Sequence, residues 1–239
     1  MISPYIGWDH SKDWFVSYYT RQQKIATPER TEQIELKDES YEYMTGHVID
    51  GRNLVPATGY LLLVWETLGL VQELMYDEVS VVFENIKFER ATTIPAEGSV
   101  PLTIMIHRGS GEFEISEGST TVVTGTIRIT KTPEQEMISS EFLTEMKNEE
   151  VLSTKDIYKE LKLRGYEYTG LFRSLKSASI GGTRGHIAWK KNWAAFMDNM
   201  LQMKLLGIAT RALYVPTAIR KLVINVKAHN KTIQSFTGN

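Results

Sequence analysis

No cysteine occurs in the 239 residues. That excludes disulfides, thiolate nucleophiles and cysteine-ligated metals, and it fits a reducing compartment. Neither sign of charge dominates: 27 Lys and Arg stand against 29 Asp and Glu, a formal net charge of −2. A balance of this kind gives no global basic field for nucleic acid or anionic lipid. Long hydrophobic runs are missing too. The densest, Tyr60 to Trp65, falls far short of the ~20 residues that a membrane helix needs. The opening stretch MISPYIGWDHSKDW lacks the basic-then-apolar layout of a signal peptide. There is no P-loop, no GxGxxG and no His/Asp/Glu cluster at metal-ligand spacing. A soluble, cytoplasmic protein is expected, or a piece of a larger one. Asn230 begins an NKT sequon, a pattern common by chance, and nothing else points to secretion.

What is present is a large apolar complement, 42% of residues. It suits one large domain or two packed halves of roughly 100 residues each. SPYIGWDHSKDWFVSYY reads as an entry strand or extended linker. Asp50-Gly51 is a tight-turn signal, and Pro56 suits the first position of a helix. From Tyr60 to Val71 that helix has almost no polar face, so it is expected to be buried all round. Alternating runs follow around Val81, Leu102, Phe113 and Val122, enough for four strands, with a bulge at Glu84-Asn85. Residues 132–153 are acidic and without a strand period, and read as a surface linker.

The second part, 154–239, repeats the plan. Ser153 suits an N-cap and Gly165 a stop for a short helix. A hairpin is predicted around Gly181-Gly182. NWAAFMDNMLQMKLLG is a second helix, apolar nearly all round, with Asn192 as N-cap and Gly207 as stop. LYVPTAIRKLVINVKAH holds one more strand or two. Two halves result, 1–131 and 154–239, each a buried helix with strands, the second short enough to be read as truncated.

Two polar residues stand out against this apolar pattern. Asp198 is flanked by Phe196, Met197, Met200, Leu201 and Met203, and Gln202 lies one helical turn on, within hydrogen-bonding reach. Apolar surroundings favour the neutral, proton-donating form of a carboxyl group. An exposed Asp on a solvated face has about equal weight from spacing alone. His47 is a candidate general base, because imidazole titrates near neutrality. Gly51 and Pro56 fix where it points, and the helix start beyond Pro56 offers unpaired N–H groups to a carbonyl oxygen gaining charge. A loop-capping role is the plainer fate of any single histidine. His10, His107, His186 and His229 have no such setting and are read as structural or surface residues.

HVIDGRNLVPATGYL carries HxxxGxxxxP from His47 through Gly51 to Pro56, and DNMLQ carries DxxxQ from Asp198 to Gln202. With LRGYEY, NWAAFMDNMLQ, LYVPT and FENIKFERAT, the chain resembles the dehydratase domain of animal-type fatty acid synthase over about residues 3 to 225. The polyketide synthase dehydratases share the core motifs and are the alternative. The resemblance implies an α+β double hot-dog, with one active site between the halves. It implies a hydro-lyase that converts (3R)-3-hydroxyacyl groups on acyl carrier protein to trans-2-enoyl groups. His47 would take the C2 proton, Asp198 would protonate the leaving hydroxyl, and Gln202 would hold Asp198. The amide of Gly51 or of the helix start after Pro56 would polarise the carbonyl, and Tyr168 would lie near the substrate hydroxyl. Thr169-Gly170 replaces the family's Gly-Pro after that tyrosine. No metal or diffusible cofactor is implied, since phosphopantetheine arrives with the substrate. The implied partners are the carrier domain and neighbouring domains of a dimeric synthase. A non-catalytic acyl-binding or scaffold module, and a thioesterase, are the competing readings.

Overall fold

The computed structural model describes residues 29–136 and 150–237. The entry segment expected near the N-terminus, with His10, lies outside them, as does most of the acidic linker.

Strand β1 (Glu29–Ile34) leads into a hairpin of β2 (His47–Ile49) and β3 (Arg52–Asn53). The predicted tight turn joins these two: Asp50 and Gly51 take φ of 51° and 68°. Positive φ at both central residues is the twist a two-residue hairpin needs, and glycine supplies it without a Cβ clash. Helix α1 (Ala57–Val71) follows. Pro56 is its N-cap rather than its first residue: its ψ of 141° keeps it extended while its carbonyl accepts from the amides of Gly59 and Tyr60. As predicted, α1 is buried from Thr58 to Gly69 with little interruption. Each fully buried Leu or Val there contributes about 1.5–3 kcal/mol by leaving water.

Four strands come next: β4 (Val81–Phe88), β5 (Val100–Ile106), β6 (Glu112–Glu117) and β7 (Thr120–Ile129). The β4–β7 register slips between Glu84 and Lys87, with Asn85 at φ 54°, which is the expected bulge. The bulge lets β4 turn its apolar side chains toward α1 on both sides of the slip.

From residue 151 onward come β8 (Val151–Ser153), α2 (Thr154–Leu163), β9 (Tyr166–Tyr168), β10 (Leu175–Ser179) and β11 (Gly185–Ile187). The last residues of the expected linker therefore form a strand, β8, paired with β10. Ser153 caps α2 through the Asp156 amide, and β10 and β11 pair as the predicted hairpin. Helix α3 (Trp193–Leu206) has Asn192 as its cap, accepting from the Ala195 amide. Its burial is less complete than expected. Met200 and Lys204 are exposed, because the sheet on this side, β11-β10-β8, has three strands.

The C-terminal region departs most from expectation. One strand, β12 (Ala218–Ile224), is followed by helix α4 (Val226–Thr237) instead of a second strand. Asn225 starts α4 by accepting from the Ala228 amide, so the chain turns helical where strand character was read. Strand β12 does not join the second sheet. It pairs antiparallel with β4, completing a six-stranded sheet of order β1-β5-β6-β7-β4-β12. A third small sheet, β3-β2-β9, ties the two parts of the chain together. Helices α1 and α3 pack against each other, and Thr58 Oγ1 donates to the Ala194 carbonyl at 2.8 Å.

Candidate active site

The antiparallel β2–β9 register sets His47 opposite Tyr168. The imidazole is 4% exposed, with the Phe172 ring 5.0 Å and the Tyr168 ring 5.5 Å from its centroid. His47 Nδ1 lies 2.9 Å from the Leu54 carbonyl oxygen. A carbonyl can only accept, so Nδ1 carries the proton. The neutral ring therefore has its lone pair on Nε2, the nitrogen free to take a proton.

Asp198 is likewise 4% exposed, so the solvated-face reading is set aside. Its Oδ1 stands 3.6 Å from His47 Nε2, beyond hydrogen-bonding distance. The two groups face a shared space without satisfying one another. The other oxygen, Oδ2, accepts from Gln202 Nε2 at 2.8 Å, one helical turn away as the spacing predicted. Gln202 is fully buried, and the same Nε2 donates to the Phe172 carbonyl at 2.9 Å. Because that carbonyl cannot donate, the amide has one permitted orientation. Oδ2 is thus always an acceptor, and any proton on the carboxyl group sits on Oδ1, toward the histidine.

A cavity of about 490 Å³ opens onto this pair. His47, Asp198 and Gln202 form its buried floor, with Tyr168, Tyr60 and Leu54 beside them. Its apolar wall includes Ile208, Val215 and Pro216 from the segment after α3. Arg90 and Lys204 line it from exposed positions, which places them at the mouth. Tyr168 is held well above the usual phenol range, by burial first and then by the Asp198 carboxyl, so its hydroxyl stays a proton-bearing donor. Tyr60 is pushed up to about 12, mainly by burial.

Four of the six residues singled out from the sequence thus converge: His47, Asp198, Gln202 and Tyr168. Gly51 does not. It sits at the exposed tip of the β2–β3 turn, outside the cavity lining, because the turn that needs its positive φ points away from the floor. Pro56 is buried and also outside the lining, but its neighbours Val55 and Ala57 line the cavity. Of the two amide donors considered, the helix start adjoins the cavity and Gly51 does not. Phe172 and Leu54 were missed. Their hydrogen bonds to His47 and Gln202 run through backbone carbonyls, which no side-chain pattern reveals. The other described histidines stay outside: His186 bonds Ser177 at 2.8 Å, His107 is exposed just past β5, and His229 lies in α4. Among the described residues, no group of three or more His, Asp or Glu is placed to hold a metal ion.

No family model matches the chain. Curated relatives include the highly reducing polyketide synthase verA of Penicillium polonicum, 25% identical over 80% of this chain and 8% of that protein. Another is milA of Cordyceps militaris, 24% identical over 81% of this chain and 10% of that protein. The chain therefore spans a tenth or less of the length of these relatives. Among solved structures, the dehydratase domain of the CurF module of curacin polyketide synthase superposes with a TM-score of 0.63. That match has 19% identity and covers 81% of this chain and 76% of the other. The CurK dehydratase domain matches with a TM-score of 0.60 at 22% identity, over 82% of this chain and 75% of that one. The fold is the α+β double hot-dog of dehydratase domains. These relatives favour the polyketide synthase alternative over the fatty acid synthase reading.

Proposed function

We propose that the chain is a dehydratase module of polyketide synthase type, removing water from carrier-bound 3-hydroxyacyl thioesters. The observation that carries this reading is the buried pair His47 Nε2 and Asp198 Oδ1, 3.6 Å apart at the floor of one cavity. Two of the structural neighbours are inactive mutants of the CurK dehydratase, one His-to-Phe and one Asp-to-Asn. The same two residue types face each other here.

The chemistry follows from the proton positions. His47 Nε2, unprotonated, takes a proton from C2 beside the thioester carbonyl. The electron pair forms the C2–C3 double bond as the C3–O bond breaks. Asp198 Oδ1 supplies the proton that lets the hydroxyl leave as water. His47 ends as a cation and Asp198 as an anion, and each stabilises the other across the short gap. Gln202 cannot take over the acid's role, since it only donates to Oδ2. Tyr168, protonated throughout, can donate to an oxygen of the substrate. The amide of Ala57 at the start of α1 is the remaining candidate for the carbonyl oxygen.

The carrier domain and other synthase domains are the proposed partners, as suits a chain matching a small part of multidomain relatives. The PpsC dehydratase domain of Mycobacterium tuberculosis, TM-score 0.56 at 14% identity over 73% of this chain and 66% of that one, was solved with C12:1-CoA. The largely apolar lining of the cavity here suits an acyl chain. Elimination needs only proton transfers, so no metal or diffusible cofactor is part of the proposal. We also place the protein in the cytoplasm. No helix among the described residues is long and apolar enough to cross a membrane.

The test is turnover of a 3-hydroxyacyl pantetheine thioester, followed in both directions, by the wild-type chain, His47→Ala and Asp198→Asn. Enoyl thioester from wild type alone supports the reading. Free acid would mean a thioesterase, and no product from a folded wild-type chain would mean a binding module.

A further inference from the structure

We propose that Asn199 and Tyr158 are positioning residues for the acid–base pair, acting through the Phe172 segment. This rests on the dehydratase reading above. Residues 169–175 reach both reacting groups, His47 directly and Asp198 through Gln202. The Phe172 ring lies 5.0 Å from the His47 ring, and the Phe172 carbonyl holds Gln202, which holds Asp198. The segment has little regular structure of its own, a single 3-10 turn at Gly170–Phe172. Its geometry must therefore be set by what it bonds to.

Two buried side chains provide most of the side-chain bonds to it. Asn199 is fully buried. Its Oδ1 accepts from the Ser174 amide at 3.0 Å, and its Nδ2 donates to the Leu171 carbonyl at 3.3 Å and the Ala195 carbonyl at 2.6 Å. Tyr158, also buried, accepts from the Leu175 amide at 3.0 Å. Its hydroxyl proton is shared between Asn199 Oδ1 at 3.1 Å and the Phe172 carbonyl at 3.2 Å. Leu171, Phe172, Ser174 and Leu175 are all pinned by these two residues. Tyr158 is pushed up to about 12, chiefly by burial, so it keeps the proton this arrangement needs.

The placement on the helix matters. Asn199 follows Asp198 on α3, so one turn presents the acid to the cavity and its neighbour to the loop. Any movement of the loop moves the Phe172 carbonyl away from Gln202, and Asp198 loses its fixed orientation. It also moves the ring packed on His47. Acid and base are thus adjusted together by one buried network that touches no substrate.

The experiment compares Asn199→Ala and Tyr158→Phe with Leu161→Ala. Leu161 is a buried apolar residue of α2 that makes no hydrogen bond to the segment. Two readouts are used on the full chain: steady-state dehydration of the pantetheine thioester, and the His47 ring resonances by NMR. Both network variants are expected to lose about ten- to a hundredfold in kcat, with KM within about twofold, and to shift the His47 signals. Leu161→Ala is expected to lower the melting temperature without either effect. The proposal is overturned if the network variants retain kcat per folded molecule and leave the His47 signals in place. If wild type turns over no thioester, the dehydratase reading fails, and the His47 resonances still decide whether the network positions the imidazole.

Discussion

His47 and Tyr168 are direct neighbours across the β2–β9 pairing, so the base and the ring beside it are placed by one short stretch of backbone hydrogen bonds between the two parts of the chain. That pairing tolerates little bulk. Gly46 precedes His47, and a Cβ there would overlap the Thr169 carbonyl. Gly46→Ala is expected to push β9 away from β2. We expect a stability loss of about 1–3 kcal/mol, with a fall in turnover larger than unfolding alone explains. Denaturant titration beside a kinetic assay would check both.

The carboxyl group of Asp198 can be neutralised without changing its shape. Asp198→Asn keeps a hydrogen-bonding side chain of the same size but cannot supply the proton. Dehydration is expected to fall by about 10²–10⁴, with the melting temperature nearly unchanged. A matched drop in both would instead mean a structural aspartate.

Gln202 is a donor to two acceptors at once. Gln202→Leu would leave the Phe172 carbonyl and Asp198 Oδ2 buried without it, at a cost of about 1–3 kcal/mol. Gln202→Glu should be worse at neutral pH, because an ionised glutamate there would set acceptor oxygens against both the Phe172 carbonyl and Asp198 Oδ2. Comparing the two variants in urea at neutral and mildly acidic pH would reveal that order, with the Glu variant recovering in acid.

The wall formed by the segment after α3 is tied down at Tyr166. Its hydroxyl donates to the Tyr214 carbonyl at 2.6 Å and accepts from the Tyr214 amide at 2.7 Å. Tyr166→Phe removes both bonds. The Tyr214 amide should then exchange its hydrogen faster, and KM for a long acyl thioester should rise more than kcat falls.

His229 gives a pH signature unrelated to catalysis. The Trp189 and Trp193 rings each lie 4.4 Å from it, and burial holds the imidazole below its ordinary value. The unfolded chain therefore binds the proton more readily. The stability this residue contributes is present above the unperturbed value of about 6.5 and is lost as pH falls toward the folded-state value. Melting temperature should drop in that range, and His229→Gln should flatten that part of the profile.

Much of this site was legible in residue order. His47, Asp198 and Gln202 were marked by polar side chains in apolar settings or by turn residues around them, and the fold brings all three to one floor. The helices were legible from capping residues, with Ser153 and Asn192 doing what their side chains allow. Gly51 was ambiguous, because one residue type serves both a tight turn and a close approach to ligand, and only the direction of the turn, here away from the cavity lining, separates the two. The fate of Ala218–Ile224 was hidden for a different reason. An alternating strand shows which face is apolar, but not which sheet edge it will find. The fatty acid synthase reading rested on short stretches around shared motifs, and such stretches identify chemistry better than they identify the parent assembly.

Strand β12 covers the edge of β4, although the two lie far apart in the chain. During synthesis, β4 and α1 leave the ribosome long before their last partner exists. Until residue 224 has emerged, the first sheet presents an open row of amides and carbonyls, which invites pairing with another nascent chain. Interruptions in translation before that point would yield a sticky intermediate rather than a smaller working unit.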